Sequence, residues 1–254
     1  MPPRQDEVFP AKPPVWSAEG PLSERFFTPV PPAGNRAVLE GDEARHLTRV
    51  LRAKIGDAVS LFDGTGREWP ARVVSLGRDR VELDAGEPQT DAPPHGIPLT
   101  LAVALPKGDR QKFMVEKLTE LGAARLMPLE TTRGVAEATA AAQTRLERVV
   151  IEACKQCGRN TLMEIAAGRP LDRLLAELPS GVCVVIAHPG GRPLDAATVP
   201  PTATSIIATV GPEGGFTDEE LSIADRAGAI RISLGPHILR VETAAIALAA
   251  RFVQ

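Results

Sequence analysis

Beyond Pro98, short apolar segments alternate with amphipathic segments of helical period, and this alternation restricts the possible fold more than any other feature of the chain. Such an order is typical of a mostly parallel sheet that carries helices on both faces. It therefore predicts an α/β domain over residues 98–254. The predicted strands are residues 99–105, 125–129, 182–188, 205–211 and 229–234.

Local signals predict where the intervening helices begin and end. Gly122 and Gly158 each follow an amphipathic run, and glycine commonly ends a helix because it adopts the left-handed conformation at little cost. The sequence Thr-Asp-Glu-Glu at 217–220 is a capping-box pattern and predicts a helix start. Residues 242–252 are alanine-rich and nearly uncharged, which predicts that this helix is buried against its own domain or a second subunit.

The residues before Pro98 are organised differently. Residues 1–21 contain many prolines and little apolar periodicity, which predicts a flexible leader. Short alternating runs and turn signals over residues 22–88 predict a small β-rich domain, most simply a barrel. The composition of residues 86–98 is that of a linker, so we place the domain boundary there.

One helix is predicted inside the barrel domain, over residues 43–52 with Asp42 as its N-cap. The spacing turns Leu47, Val50 and Leu51 inward. The outer row consists of Arg45, Arg49 and Arg52, flanked by His46 and Lys54. A solvated charged face is the common explanation for such a row, but no acid is interleaved with it, and uncompensated positive charge suits RNA phosphates.

Composition excludes several classes of protein. The formal net charge is -3, so binding to RNA has to depend on local clusters of basic residues. The three cysteines, Cys154, Cys157 and Cys183, do not suggest a disulfide framework, and the four histidines lack metal-ligand spacing. We expect Cys154 and Cys157 to pack in the core. Neither a membrane-spanning run nor a secretory signal is present, so we expect a cytoplasmic protein that binds no metal.

Two glycine-containing motifs follow the ends of predicted strands. Residues 210–215 are Val-Gly-Pro-Glu-Gly-Gly, and residues 233–240 are Ser-Leu-Gly-Pro-His-Ile-Leu-Arg. Glycine lets the backbone approach a ligand, and open α/β sheets bind ligands outside the carboxyl ends of their strands. Ligand-binding loops are therefore favoured over plain strand-to-helix turns. The lysine of a phosphate loop is missing, which disfavours a nucleotide-dependent enzyme.

Both motifs, together with the Val-Glu-Thr-Ala that follows the second, resemble the RsmE family of bacterial 16S ribosomal RNA methyltransferases. Further family-like stretches are residues 46–52, 107–110, 116–122 and 152–159. The resemblance extends over nearly the whole chain from Arg25 onward. The chain departs from it at His237 and Val241, where the family usually has Arg and Thr, and around Arg133.

The resemblance implies a C-terminal SPOUT-type α/β domain with a trefoil knot, preceded by a small N-terminal PUA-like β-barrel. It also implies an enzyme that uses S-adenosylmethionine (SAM) to methylate N3 of a uridine in 16S ribosomal RNA of the small subunit. A homodimer is expected on the same ground. A non-catalytic RNA-binding or ribosome-assembly protein with a disabled α/β domain is the alternative, and binding of SAM would distinguish the two.

The expected site residues lie mainly on the two glycine-containing loops. The expected cofactor-binding residues are His188, Val210, Gly211, Pro212, Glu213, Gly214, Gly215, Leu234, Gly235, Ile238, Leu239 and Thr243. Arg240 is expected to stabilise a developing uridine oxyanion, and Glu242 is either a proton acceptor or an acid favoured by the helix dipole. The expected RNA contacts are Arg25, Arg45, His46, Arg49, Arg52, Lys107, Arg110 and Arg159.

Overall fold

The computed structural model describes residues 24–92, 96–134, 139–195 and 198–253. The predicted leader, residues 1–21, lies outside this part of the chain. The described residues form two sheets, one before and one after the predicted linker. Within these residues, no helix is both long enough and apolar enough to cross a membrane.

The N-terminal sheet confirms the predicted β-rich domain. Its elements are β1 Arg25–Phe27, β2 Arg36–Glu40, α1 Gly41–Arg45, β3 Ala58–Phe62, β4 Arg67–Leu76, β5 Arg80–Ala85 and β6 Gln89–Thr90. The strands run in the order β1-β3-β4-β5-β2, with β6 paired to β4. Leu61, Trp69 and Leu83 are buried in its core. Strand β6 ends at Thr90, which lies within the predicted linker over residues 86–98.

The predicted helix over residues 43–52 is wrong in its ends and in placing Val50 on the inward face, whereas Leu47 and Leu51 do pack against the core. Helix α1 gives way to a π-helical turn at His46–Val50, in which Leu51 N–H donates to His46 O (3.1 Å). Glu40, not Asp42, is the N-cap. The wider turn rotates the later side chains, so Leu47 is buried while Val50 is 70% exposed. Arg52 lies beyond the helix with φ at 54°, so the basic residues do not share one continuous row.

The C-terminal sheet confirms the predicted parallel α/β domain. Its strands are β7 Leu99–Val103, β8 Arg125–Glu130, β9 Glu164–Ile165, β10 Arg169–Pro170, β11 Val182–Pro193, β12 Ser205–Val210 and β13 Ile230–Ser233. They run in the order β10-β8-β7-β12-β11-β13, with β9 paired to β8, and every one of these pairs is parallel. The carboxyl ends of β8, β7 and β12 therefore meet at one edge of the sheet.

The helices of this domain agree with their predicted termini. They are α2 Asp109–Glu120, α3 Ala140–Cys157, α4 Leu171–Ala176, α5 Asp218–Arg226 and α6 Val241–Phe252. Gly158 ends α3 in the left-handed conformation, and the capping box of Thr217 and Glu220 begins α5. Helix α6 packs against α2, β7 and β12, so it buries most of its apolar surface within its own domain. The short helix α4 was not predicted from the sequence.

Apolar and polar contacts join the two domains. Phe62 belongs to β3, yet its fully buried ring packs into the core of the C-terminal domain. Around it, Asn160 accepts a hydrogen bond from Arg25 (2.6 Å) and donates to Glu68 (3.2 Å) and Asp91 (2.9 Å). The interface thus contains a shared apolar contact that is surrounded by hydrogen-bonded charged groups.

Candidate active site

A cavity of about 500 Å³ opens at the carboxyl edge of the C-terminal sheet. Its walls come from the middle of β11, from the loop after β12 and from the loop between β13 and α6. A volume of this size is in the range of pockets that enclose small organic ligands. The two motifs singled out in the sequence are therefore neighbours in space and face the same cavity.

The loop after β12, residues 211–216 and here called the glycine loop, requires glycine at two positions. A Cβ atom at Gly211 would lie 3.0 Å from two ring carbons of the buried Phe216 side chain. Gly215 has a φ of 69°, and its N–H donates to Pro212 O (2.8 Å) to close a turn. Without these glycines the backbone could not follow the cavity wall so closely.

The second loop, between β13 and α6, contributes both backbone and side chains to the wall. Gly235 has a φ of 129°, which a residue with a side chain rarely adopts. Ile238 is 87% exposed, whereas Leu239 is half-buried against the domain core. Arg240 is exposed at the cavity wall and is the N-cap of α6. Its side chain forms no ion pair with a carboxylate among the described residues.

The structure brings nearly all the expected cofactor residues to this cavity. The residues that line it are His188, Val210, Gly211, Pro212, Glu213, Gly214, Gly215, Leu234, Gly235, Ile238 and Leu239. Thr243 does not line the cavity and is exposed on α6. Glu242 is also absent from the wall; its carboxylate is buried, and Oε2 has no hydrogen-bond partner among the described residues. Ligand binding by the lining residues stays a prediction.

Some wall residues were not among the expected cofactor-binding residues, although Ser233 and His237 lie in the second motif and Val241 and Ala244 directly follow it. They are Ala187, Pro189, Phe216, Ser233, His237, Val241 and Ala244. Pro189 lies beside His188 in β11, and the His188 ring accepts a hydrogen bond from Gly190 N–H through Nδ1 (3.0 Å). That bond fixes the orientation of the imidazole at the cavity.

Two family profiles match this chain. The RNA methyltransferase domain matches residues 93–253, and the RNA methyltransferase PUA domain matches residues 39–85. The chain is 32% identical to ribosomal RNA small subunit methyltransferase E of Mycobacterium tuberculosis, over 87% of either chain. This chain belongs to the RsmE family. It is also 33% identical to the Synechocystis member, over 80% of this chain and 67% of the relative.

Solved structures agree with membership of the RsmE family. The Neisseria gonorrhoeae member, crystallised with SAM, is 31% identical and superimposes with a TM-score of 0.82, over 90% of this chain and 96% of its own. A Legionella pneumophila structure in complex with SAM is 28% identical with a TM-score of 0.83, over 91% of this chain and 96% of its own. The SPOUT-type α/β domain and the PUA-like N-terminal domain are thereby confirmed.

The sequence suggests that the basic residues of the N-terminal domain have no acidic partners. In this RsmE member, however, two of them lie next to acids. Arg45 is ion-paired with Asp42, and Arg49 lies 3.9 Å from Asp79. The ring of His46 packs edge-on against Phe26, with 6.0 Å between the ring centres. No acid is interleaved with the basic residues of the predicted row. Their acidic partners lie instead at the start of the helix and in the β4–β5 turn.

The remaining exposed candidates differ in their surroundings. Arg110 at the start of α2 lies 3.5 Å from Glu213 of the glycine loop. Arg52 and Lys107 are exposed, and neither is paired with a carboxylate among the described residues. Of the predicted contacts, Arg52 and Lys107 therefore offer the most accessible positive charge to an RNA phosphate.

Two predicted RNA contacts are half-buried and form hydrogen bonds within the protein. Arg25 donates to Glu68 (2.7 Å) as well as to Asn160, and its guanidinium lies 5.0 Å from the centre of the Phe62 ring. Arg159 donates to Thr119 O (3.0 Å) and Ala123 O (2.9 Å), at the end of α2. These contacts hold Arg25 at the domain interface and Arg159 at the end of α2. Contact of either residue with RNA stays a prediction.

Proposed function

We propose that this protein is a SAM-dependent methyltransferase that modifies N3 of a uridine in 16S ribosomal RNA of the small subunit. The observation that supports this most is the joining of the two glycine-containing loops around one cavity. Relatives of this chain are named ribosomal RNA small subunit methyltransferase E, and the Neisseria gonorrhoeae relative was crystallised with SAM.

The cavity fits an adenosyl group. Gly211 and Gly215 line the cavity and have no side chain of their own, so a ligand can approach their backbone closely; the N–H of Gly215 is used within the turn, in its bond to Pro212 O. The apolar side chains of Val210 and Leu239 can pack on a flat ring. When bound, SAM supplies a methyl group on a positively charged sulfur, which needs little further activation.

The remaining task for the protein is to make the uridine nitrogen a nucleophile and to align it with the methyl group. Arg240 stands at the cavity wall, and its guanidinium pairs with no carboxylate of the described residues, so it can stabilise negative charge that develops on a uracil oxygen. Glu242 is buried behind that wall. Its position favours the second of its two expected roles, an acid at the positive end of the α6 dipole.

Two measurements test the proposal. Calorimetry of the folded protein with SAM should give a saturable binding curve, and small subunits that lack the modification should accept labelled methyl groups from SAM. A methyl group at N3 blocks base pairing, so reverse transcription should stop at the modified uridine. A folded protein that binds no SAM would instead favour the assembly role.

Three further features belong to the proposal. The trefoil knot is supported by the path of the chain, which leaves β13 at one edge of the sheet and then packs α6 against the central strands β7 and β12. A homodimer is supported by the exposure of Ile238 at the cavity rim and of Phe113, and light scattering tests it. Location in the cytoplasm follows from the proposed ribosomal substrate.

A further inference from the structure

The loop after β8, residues 131–134, lies at the same edge of the sheet as the glycine loop. In the strand order β8-β7-β12, only β7 separates the strands that precede these two loops. The loop after β8 does not line the cavity. Two side chains nevertheless connect the part of the chain around the glycine loop with the loop after β8. One belongs to the loop after β8 itself, and the other belongs to α5, the helix that follows the glycine loop.

The first connection is made by Arg133. Its Nη1 donates to Gly214 O at 2.7 Å. Its aliphatic part also covers Gly214, because a Cβ atom there would lie 3.2 Å from Arg133 Cδ. The guanidinium thus holds the carbonyl group that precedes Gly215, the residue with a left-handed backbone.

The second connection is made by Glu220 of α5, which is 8% exposed. Its Oε2 accepts from Thr217 N–H (2.7 Å), as a capping box requires. Its Oε1 accepts from Thr132 N–H (2.8 Å), which belongs to the loop after β8. A capping box uses only one of the two oxygens, so the second bond needs another explanation.

We propose that Arg133 and Glu220 are positioning residues that hold the glycine loop in its ligand-binding conformation. Arg133 fixes the middle of the loop and Glu220 fixes its exit, both against the loop after β8. Neither side chain reaches the cavity, so neither touches the ligand or the reacting atoms. The inference rests on the proposed function, since it takes SAM as the ligand of the cavity.

A loop released from these contacts spends less time in the competent conformation, and the apparent affinity falls by the same fraction. Loss of one hydrogen bond to a charged group corresponds to about a tenfold change in an equilibrium constant. Arg133→Ala should therefore bind SAM about tenfold more weakly in calorimetry of the full chain. The thermal midpoint should stay near that of the wild type, because the contact is exposed.

Two further variants separate positioning from general stability. Arg133→Lys keeps a cationic donor and should recover most of the affinity. Arg125→Ala is the matched control, because Arg125 begins β8, the strand that leads to the loop of Arg133, and makes a comparable exposed contact with Glu164 (2.9 Å). It should leave SAM affinity unchanged. In methyl transfer, Arg133→Ala should raise KM for SAM about tenfold and leave kcat within about twofold.

Equal SAM affinity of Arg133→Ala and the wild type would overturn the inference. Should the wild type bind no SAM, the proposed function fails, and amide hydrogen exchange over residues 211–217 still decides the role of Arg133. Faster exchange there in Arg133→Ala would show that the side chain holds the loop. Equal exchange would show that it does not.

Discussion

Replacement of Asn160 by alanine should destabilise the junction between the two domains. Asn160 is 4% exposed, and its amide forms three hydrogen bonds with charged partners. It accepts one from Arg25 and donates one each to Glu68 and Asp91. A hydrogen bond to a charged group contributes about 1.5–3 kcal/mol. Arg25 and Glu68 keep their direct 2.7 Å ion pair, and their side chains are 15% and 27% exposed, so water can replace part of the loss.

The three bonds share partners and are therefore not additive, and we expect a total loss of about 3 kcal/mol. For a chain of this size, such a loss lowers the thermal midpoint by about 6–12 °C. Scanning calorimetry measures the midpoint directly. Asn35→Ala is the matched control, because Asn35 is exposed and should tolerate the change with a shift of less than about 1 °C.

The loss of the Asn160 contacts should affect the interaction with one substrate only, the ribosomal small subunit. The cavity lies in the C-terminal domain, so Asn160→Ala should bind SAM as the wild type does, while its KM for small subunits rises because the N-terminal domain is held less firmly. An unfolding midpoint equal to that of Asn35→Ala would refute the reasoning, since it would mean that the amide adds nothing to the interface.

Four other perturbations have defined outcomes. Gly215→Ala places a side chain on a backbone with φ of 69°, which should cost about 1 kcal/mol of stability and weaken SAM binding, as measured by calorimetry. Burial of Glu220 opposes ionisation, but hydrogen bonds from Thr217 and Thr132 outweigh it, so its pKa lies below the usual value. The ionised carboxylate therefore stabilises the fold fully above the unfolded pKa of about 4.5, and this stabilisation is lost as the pH falls through the lower folded pKa. In urea titrations, Glu220→Gln should reduce the dependence of the free energy of unfolding on acid pH. Burial raises the pKa of the Cys154 thiol to about 11, so at pH 8 this thiol should react with Ellman's reagent only after unfolding. The double variant Arg52→Ala with Lys107→Ala should weaken binding to small subunits and reduce its salt dependence, while SAM affinity is unchanged; an unaltered salt slope would contradict their contact with phosphates.

Features that depend on neighbouring residues in the sequence were predicted correctly. The capping box at Thr217 and the left-handed end of α3 at Gly158 are examples, because the atoms involved lie within one helical turn. Strand positions in the C-terminal sheet were also recognisable, since buried parallel strands are continuously apolar. The position of the two glycine-containing loops at one cavity also followed from those strands, because the carboxyl ends of parallel strands meet at the same edge of the sheet.

Features that depend on distant partners were missed. The pairing of Arg25 with Asn160 joins residues 135 positions apart, and no local pattern distinguishes an arginine used in this way from one that binds RNA. The same holds for the bond between Arg133 and Gly214. Val50 was predicted to face inward because a regular helix was assumed, whereas the Thr48 hydroxyl bonds back to Ala44 O (2.8 Å) beside a π-helical turn.

The burial of Phe62 in the core of the other domain limits how this protein can be divided or recombined. An N-terminal domain produced alone would expose the fully buried Phe62 ring to water, at a cost of about 1.5–3 kcal/mol, together with more of its partly buried neighbour Phe27, and would tend to aggregate. A chimaera that joins the first domain of one relative to the second domain of another should fold well only if both sides of this contact come from the same parent. A substitution on one side of this contact between the domains is therefore expected to be tolerated only when the other side changes with it.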